Sequence, residues 1–205
     1  MALTQVQAGM MDSTAQYYSF KNRIINGAMV IDQRNAGASV TPASGDYTVD
    51  RWQAIASQAS KYSVQQNAGS VTPPSGYKNY LGITSLSSYA VTATDSFHLR
   101  QPIEGLNVAD LGWGSASAAT VTLSFWVRSS LTGTFGGALF NSAADRTYVF
   151  SYTVNSANTW EQKSVTIAGD TSGTWTTANA IGLALYIGLG SGSTVSGTAG
   201  AWASA

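Results

Sequence analysis

Apolar and polar residues alternate with a period of two along much of this chain. The segment Thr120–Arg128, TVTLSFWVR, shows the alternation most clearly, and Tyr148–Val154 and Ile181–Leu189 repeat it. Successive side chains of a β-strand point to opposite faces, so each segment would place its apolar set on one face. A slip of one residue would expose the whole set, and the pattern therefore predicts a shared core. Its members are Val121, Leu123, Phe125, Val127, Ile181, Leu183 and Leu185.

Further short segments have strand-like composition and are separated by loops rich in Gly, Ser, Thr and Pro. They are Arg23–Gln33, Val49–Ser57, Lys61–Gln66, Asn79–Thr84, Ser96–Ile103, Thr134–Phe140 and Trp160–Ala168. No helical period extends beyond two turns. The sequence therefore predicts an all-β fold, an antiparallel two-sheet β-sandwich of jelly-roll type over residues 22–205. Residues 1–21 form a short N-terminal arm in this interpretation.

Composition adds that much of the surface is neutral. Charged residues make up 10% of the chain, against about a quarter in an average domain, while 44% of residues are apolar. In Ile181–Leu189 the face opposite the core carries mostly Gly and Ala, so we expect cover on both sides of this strand from the arm, a loop or another subunit. A homo-oligomer is the predicted state, with a trimer as one arrangement.

Charge and hydropathy argue against two classes of partner. The ten basic and ten acidic residues cancel and no basic run exists, so nucleic-acid binding is not expected. The apolar run Ile181–Leu189 is far shorter than the roughly 20 residues of a membrane span. The first residues, MALTQVQAGMMD, lack the features of a signal peptide, and cysteine is absent. We therefore expect synthesis in a reducing cytoplasm, with no export signal and no membrane insertion.

Two motifs near the start carry a family resemblance. Asn22–Arg34 reads NRIINGAMVIDQR, and Tyr47–Trp52 reads YTVDRW. QPI at Gln101–Ile103, TLSFWVRS at Thr122–Ser129 and TWEQKSVTI at Thr159–Ile167 follow in order. This series resembles the carbohydrate-binding-module-like β-sandwich domains of bacteriophage tail fibres and tail-associated virion proteins.

The resemblance implies a structural and adhesive component of the virion tail that contacts other tail proteins. It leaves open whether the sandwich recognises host surface glycans or only builds the fibre. A glycan-degrading depolymerase and a non-viral carbohydrate-binding module are the alternatives. Leu3, Val6 and Met10 fall at helical spacing in the arm, and we expect them to anchor it on a partner.

Domains of this kind usually close with one more strand. Here the sequence stops at GAWASA, so the sandwich is expected to lack its final strand. Either the chain continues beyond Ala205 or a neighbour completes the sheet.

Catalytic side chains are scarce. His98 is the single histidine, and Glu104 and Glu161 are the two glutamates. No G-x-S-x-G elbow is present, and glycosidases need two carboxylates about 5–10 Å apart that the sequence does not place together. We therefore expect no catalytic residue, no metal site, no cofactor and no enzymatic activity.

Aromatic residues are the one chemical resource in surplus. Sugars stack on exposed rings, and the candidate carbohydrate contacts are Tyr77, Trp113 and Trp175 in Gly-rich connections. A lid over the end of the core is the other interpretation for these loop aromatics. Trp126 lies opposite the core face of its strand, as either a ligand platform or an interface residue. Trp52 and Trp160 are expected to be buried.

Overall fold

The computed structural model describes residues 21–204, which contain ten β-strands and four short 3-10 helices. The strands are β1 (Gln53–Ala56), β2 (Tyr62–Gln66), β3 (Leu81–Ser85), β4 (Ser96–Glu104), β5 (Val121–Val127), β6 (Gly133–Asn141), β7 (Arg146–Val154), β8 (Glu161–Ile167), β9 (Ile181–Ser191) and β10 (Trp202–Ser204). The 3-10 helices are Ala68–Ser70, Gly105–Asn107, Ala109–Leu111 and Ser193–Val195. The arm residues Leu3, Val6 and Met10 lie outside the described range, so the arm stays a prediction.

The strands form a six-stranded sheet of order β1-β4-β9-β6-β7-β10 and two separate pairs, β2-β3 and β5-β8. Every strand pairing in the described range is antiparallel. The pairs pack on the six-stranded sheet, since the Phe125 ring of β5 lies 4.9 Å from the Tyr152 ring of β7. The Tyr62 hydroxyl of β2 donates to the carbonyl of Ile55 in β1 at 3.0 Å. The predicted all-β antiparallel sandwich is confirmed, with its second layer divided into two ribbons.

The predicted core is confirmed for six of its seven members. Leu183 and Leu185 are buried, and Val121, Leu123, Phe125 and Val127 are half-buried against the same cluster. Ile181 is half-buried but does not pack on this cluster, because a register irregularity between Ile103 and Glu104 pairs it with Glu104. Trp52 is also buried, as expected, at 6% exposure. Trp160 is half-buried and links the two ribbons, since its Nε1 donates to the Thr72 carbonyl at 2.8 Å. Its ring meets Tyr80, just before β3, edge to face at 5.5 Å.

The strand predicted at Arg23–Gln33 is wrong. This segment folds into turns, with Asn26 and Met29 both at a φ of 54°. The Asn26 side chain donates to the carbonyls of Ile31 and Asp50 and accepts from the Ile31 amide. These local bonds occupy backbone groups that a strand would use to pair with a neighbouring strand. The Asn26 side chain therefore takes the place of β-sheet hydrogen bonds in this segment.

The two motifs of the resemblance meet in one hydrogen-bonded corner. The Gln33 amide donates to Asp50 at 2.7 Å, and the Trp52 indole donates to the Asn26 carbonyl at 3.3 Å. Arg51, which lies between Asp50 and Trp52, has a φ of 74°, which is not the backbone conformation of a strand. β1 therefore begins only at Gln53 and not at the predicted Val49. The motifs are therefore framework: they shape the turn that leads into the first strand.

The start of β9 is closely packed at Gly182, where the register with β4 is irregular. A Cβ at Gly182 would lie 2.5 Å from the Cα of Gly105 and 2.7 Å from both the Thr176 carbonyl oxygen and the core residue Val108. The expected cover on the other face of β9 stays a prediction. The homo-oligomer stays a prediction.

The last described residues form a strand that the sequence does not predict. Trp202–Ser204 pairs with Tyr148–Arg146 of β7 at the edge of the six-stranded sheet. Three residues are too few for an alternation signal, and the Trp202 ring is held by tertiary contact with Tyr148 at 5.3 Å. That the chain continues beyond Ala205 stays a prediction.

Candidate functional site

Two of the four candidate sugar-binding aromatics close the end of the core. Trp113 is only 8% exposed, and its Nε1 donates to the Ala119 carbonyl at 2.8 Å. Its ring stands edge to face with Trp175 at 4.8 Å and with Trp202 at 5.3 Å. Trp113 is therefore not an exposed ring, because the three rings cover one another. Its position agrees with the other interpretation, a lid over the end of the core. Trp175 is half-buried in the same cluster.

The other two candidates are accessible and lie apart from this cluster. Trp126 is 36% exposed on the outward side of the β5-β8 ribbon, where its register partner is Gln162. Tyr77 is 44% exposed in the loop before β3. Both positions agree with the sequence interpretation of where the rings point. Contact with a ligand at either position stays a prediction.

A different surface gathers more functional groups, namely the outer face of the six-stranded sheet. We use this name for the side turned away from the ribbons. Antiparallel register places Gln53 of β1, Arg100 of β4, Tyr186 of β9 and Ala138 of β6 in one row across it. Neighbouring strands are about 4.8 Å apart, so the row is continuous. The next row contains Pro102, Ala184, Phe140 and Thr147.

Tyr186 stands at the centre of the outer face within a group of rings and a cation. Its ring centroid lies 4.4 Å from that of His98 and 4.8 Å from that of Phe140. The guanidinium carbon of Arg100 lies 5.6 Å from the same centroid. The adjacent β9 positions on this face are Ala184 and Gly188. Tyr186 is therefore the large side chain of β9 on a face otherwise lined by small ones.

A cleft of about 250 Å³ opens on the outer face beside this group. Its walls include Tyr47, Arg51, Gln53, Arg100, Pro102 and Glu104. Arg51 Nη2 contacts Glu104 Oε1 at 2.6 Å, and Asn107 Nδ2 donates to the other carboxylate oxygen at 3.2 Å. The Arg51 guanidinium lowers the pKa of Glu104 below its ordinary value. Both carboxylate oxygens of Glu104 are thus already bonded, one to Arg51 and the other to Asn107.

Unsatisfied polar atoms concentrate on the same face. Five buried side-chain nitrogen or oxygen atoms have no hydrogen-bond partner within the described part of the chain. They are Arg51 Nε, Gln53 Oε1, His98 Nε2, Arg100 Nε and Thr147 Oγ1. All five belong to the outer face or to the cleft on it. A buried polar atom without a partner costs about 1–3 kcal/mol, so such a concentration calls for a functional explanation.

His98 is held neutral at this site. Burial, with a smaller contribution from the positive charge of Arg100, lowers its pKa from 6.5 to about 4. A group with so low a pKa is a weak base near neutral pH. The imidazole can still give or accept one hydrogen bond from each nitrogen.

The two glutamates belong to different layers. Glu104 lies on the outer face of β4, whereas Glu161 begins β8 in the opposite layer. Lys163 Nζ contacts Glu161 at 2.6 Å, and together with amides of the preceding turn it lowers the pKa of that carboxyl to about 2. No group of three His, Asp or Glu side chains suited to a metal ion occurs among residues 21–204. The same range contains no helix with the length and apolar content that a membrane span requires.

No protein-family model matches this sequence, and no curated protein sequence matches it. Among solved structures, the chain is similar to the crystal structure of the enzymatically active domain of tailspike protein 4 from bacteriophage CBA120. The two share 11% sequence identity at a TM-score of 0.44, over 81% of this chain. The match spans 20% of the length of that solved chain.

The sequence pattern itself indicates which side chains of β4 and β9 point to the outer face, although a search for loop aromatics does not find them. In Ser96–Ile103 the residues His98 and Arg100 alternate with buried Phe97 and Leu99, and Tyr186 is the large residue opposite the core face of β9. Each segment alone predicts outward-pointing side chains. Only the register between β4 and β9, which joins residues far apart in the chain, brings them together.

Proposed function

We propose that this chain is a structural and adhesive protein of a bacteriophage virion whose sandwich binds host surface glycans on its outer face. The observation that carries the binding role is the set of unsatisfied polar atoms on the outer face and in its cleft. The virion setting rests on the sequence resemblance. Other tail proteins and further copies of this chain are the proposed partners.

A saccharide suits the chemistry of the outer face. Tyr186 and Phe140 offer aromatic surface to the apolar side of a sugar ring. The Arg100 guanidinium donates hydrogen bonds and the Gln53 amide oxygen accepts them, so sugar hydroxyl groups, which do both, complement these side chains. A purely apolar ligand would leave these atoms unpaired, and a purely ionic one would not use the rings.

The base of the arm supports attachment through the N-terminus. Arg23 makes a two-pronged contact with Asp110, with both nitrogen–oxygen distances at 2.7 Å, and Lys21 reaches the same carboxylate at 3.3 Å. These cations lower the pKa of Asp110 to about 2, with Arg23 as the larger cause. The chain is therefore tied to the sandwich at the point where the proposed arm begins.

We propose no catalytic role for the chain. The supporting observations are that Glu104 and Glu161 are each engaged by a cation and that the two lie in different layers. Asp95 accepts from Ser57, Tyr89 and Thr92, which is a structural role that lowers its pKa far below the ordinary value.

A glycan array of bacterial surface saccharides tests the binding role. Individual sites are expected to be weak, since ring stacking adds only about 0.5–1.5 kcal/mol, so the chain should be displayed in many copies. We expect Tyr186→Ala to abolish binding and Trp126→Ala, an aromatic truncation on the other layer, to leave it unchanged. Binding that survives Tyr186→Ala but is lost in Trp126→Ala would place the site on the ribbon and contradict the proposal.

A further inference from the structure

The glycan-binding role proposed above can be narrowed to one chemical class. We infer that the outer face takes an acidic saccharide, with the carboxylate of the sugar bound by Arg100 and the sugar ring against Tyr186. This inference rests on the proposed function, and it names the charge of the ligand and the residue that selects it.

Three of the six arginines, Arg34, Arg100 and Arg128, make no carboxylate contact within residues 21–204, and among these three Arg100 is the one with a buried Nε that lacks a partner. Arg23, Arg51 and Arg146 each contact a carboxylate, on Asp110, Glu104 and Asp170 respectively. Arg100 makes no such contact within residues 21–204 although it is half-buried, and its Nε lacks any partner there. Its guanidinium lies against the Tyr186 ring, a contact that satisfies none of its five N–H donors. A carboxylate would accept two of these donors in the planar paired geometry that guanidinium favours.

The cleft around Arg100 has no free negative charge of its own. Arg51 and Arg100 are cations in its wall, and Glu104 is the single carboxylate there. Glu104 is on the same face of β4, but Arg51 and Asn107 already occupy its two oxygens. The cleft is therefore formally positive, and an incoming carboxylate meets a cation without displacing an existing ion pair.

The remaining groups fit the uncharged part of a sugar acid. Gln53, Arg100 and Tyr186 stand in one row across three strands, a span of about 10 Å at the usual strand spacing. The Gln53 side-chain oxygen is buried and has no hydrogen-bond partner within residues 21–204, whereas the amide nitrogen of the same side chain donates to the Gly45 carbonyl at 3.2 Å. A short saccharide can contact the ring, the cation and the amide together.

Matched pairs of probes test the inference on the whole chain. The pairs are sialyllactose with lactose, and trigalacturonate with the trisaccharide obtained by reducing its carboxyl groups. Dissociation constants come from NMR titration of backbone and side-chain amides. We expect the acidic member of at least one pair to bind about ten- to hundredfold more tightly, the range for a hydrogen bond between charged groups. Sodium acetate at the same concentration should not compete, because the ring contact is missing.

Variants separate the charge from the fold. Arg100→Gln should remove the preference for the acidic member, so that the two members of a pair bind with dissociation constants within about twofold of each other. Arg128→Gln is the matched control, since Arg128 donates to the Asn158 carbonyl on the other layer and should change neither constant. Arg100→Lys keeps the charge but loses the paired geometry, so it should retain only part of the preference. Amide spectra of all variants show whether each one is folded.

The outcomes distinguish the two claims. If neutral and acidic members bind equally well and Tyr186→Ala abolishes both, the glycan-binding role stands and the acidic class is overturned. If Arg100→Gln keeps the preference, or acetate competes as strongly as the saccharide, the inference also fails. If none of the four saccharides binds, both the inference and the proposed binding role are contradicted.

Discussion

His98 makes the stability of this protein depend on pH in a window where other side chains contribute little. Its pKa is about 4 in the folded chain, against an ordinary value of 6.5, because burial and Arg100 disfavour the charged form. A lowered folded pKa means that the unfolded chain binds the proton first. Stability is therefore fully present above about pH 6.5 and is lost as the pH falls toward 4.

The size of the loss follows from the two pKa values. Between pH 7 and pH 5, linkage removes about 2 kcal/mol from the free energy of unfolding. His98 is the single histidine of the chain, and carboxyl groups titrate mainly below this window, so they contribute little. Because domains of this kind are stable by only about 5–15 kcal/mol, the change is well within reach of measurement.

Urea unfolding followed by tryptophan fluorescence at pH 7 and pH 5 measures the difference. His98→Gln is the matched variant, since it keeps a polar side chain that does not titrate. We expect the drop of about 2 kcal/mol in the parent chain and less than about 0.5 kcal/mol in the variant. An equal drop in both proteins, or none in the parent, would show that His98 is not buried beside Arg100 and would refute the described geometry of the outer face.

Three further predictions concern the core, the arm and catalysis. Phe150→Ala should lower the free energy of unfolding by about 3–5 kcal/mol in the same assay, because Phe150 is 1% exposed. Phe135→Ala should lower it by less, because the Phe135 ring is half-buried. The reverse order would contradict the described core. Deleting residues 1–20 should prevent incorporation into particles, as judged by immunoblot of purified virions, and unchanged incorporation would remove the anchoring role. Purified chain should release no reducing ends from host polysaccharide, and release that Glu104→Gln or Glu161→Gln abolishes would establish an enzyme.

The sequence predicts the strands well wherever alternation alone decides them. From β4 to β9 each strand has its predicted counterpart, because one face of each strand contributes to the core and the apolar residues largely alternate with polar or small ones. The prediction fails at Arg23–Gln33, where Asn26 replaces ladder hydrogen bonds with side-chain bonds. It also fails at β10, where three residues are held by contacts between aromatic rings that are distant in the chain.

The candidate site was less predictable for a physical reason. Counting aromatics selects Trp113, but the tertiary fold turns this ring into the core beside Trp175 and Trp202. The outer face depends on the register of β1, β4 and β9, which local pattern does not determine. An arginine without a carboxylate partner becomes recognisable only when all neighbours are in place, as for Arg100.

A crystal structure of this chain with a bound surface saccharide tests the central claim most directly. The saccharide is the one that binds best on the glycan array. We predict ligand density over the Tyr186 ring on the outer face, with hydrogen bonds from Arg100 and to Gln53. Density on Trp126 or Tyr77, with the outer face empty, would contradict the account and place the site in the opposite layer.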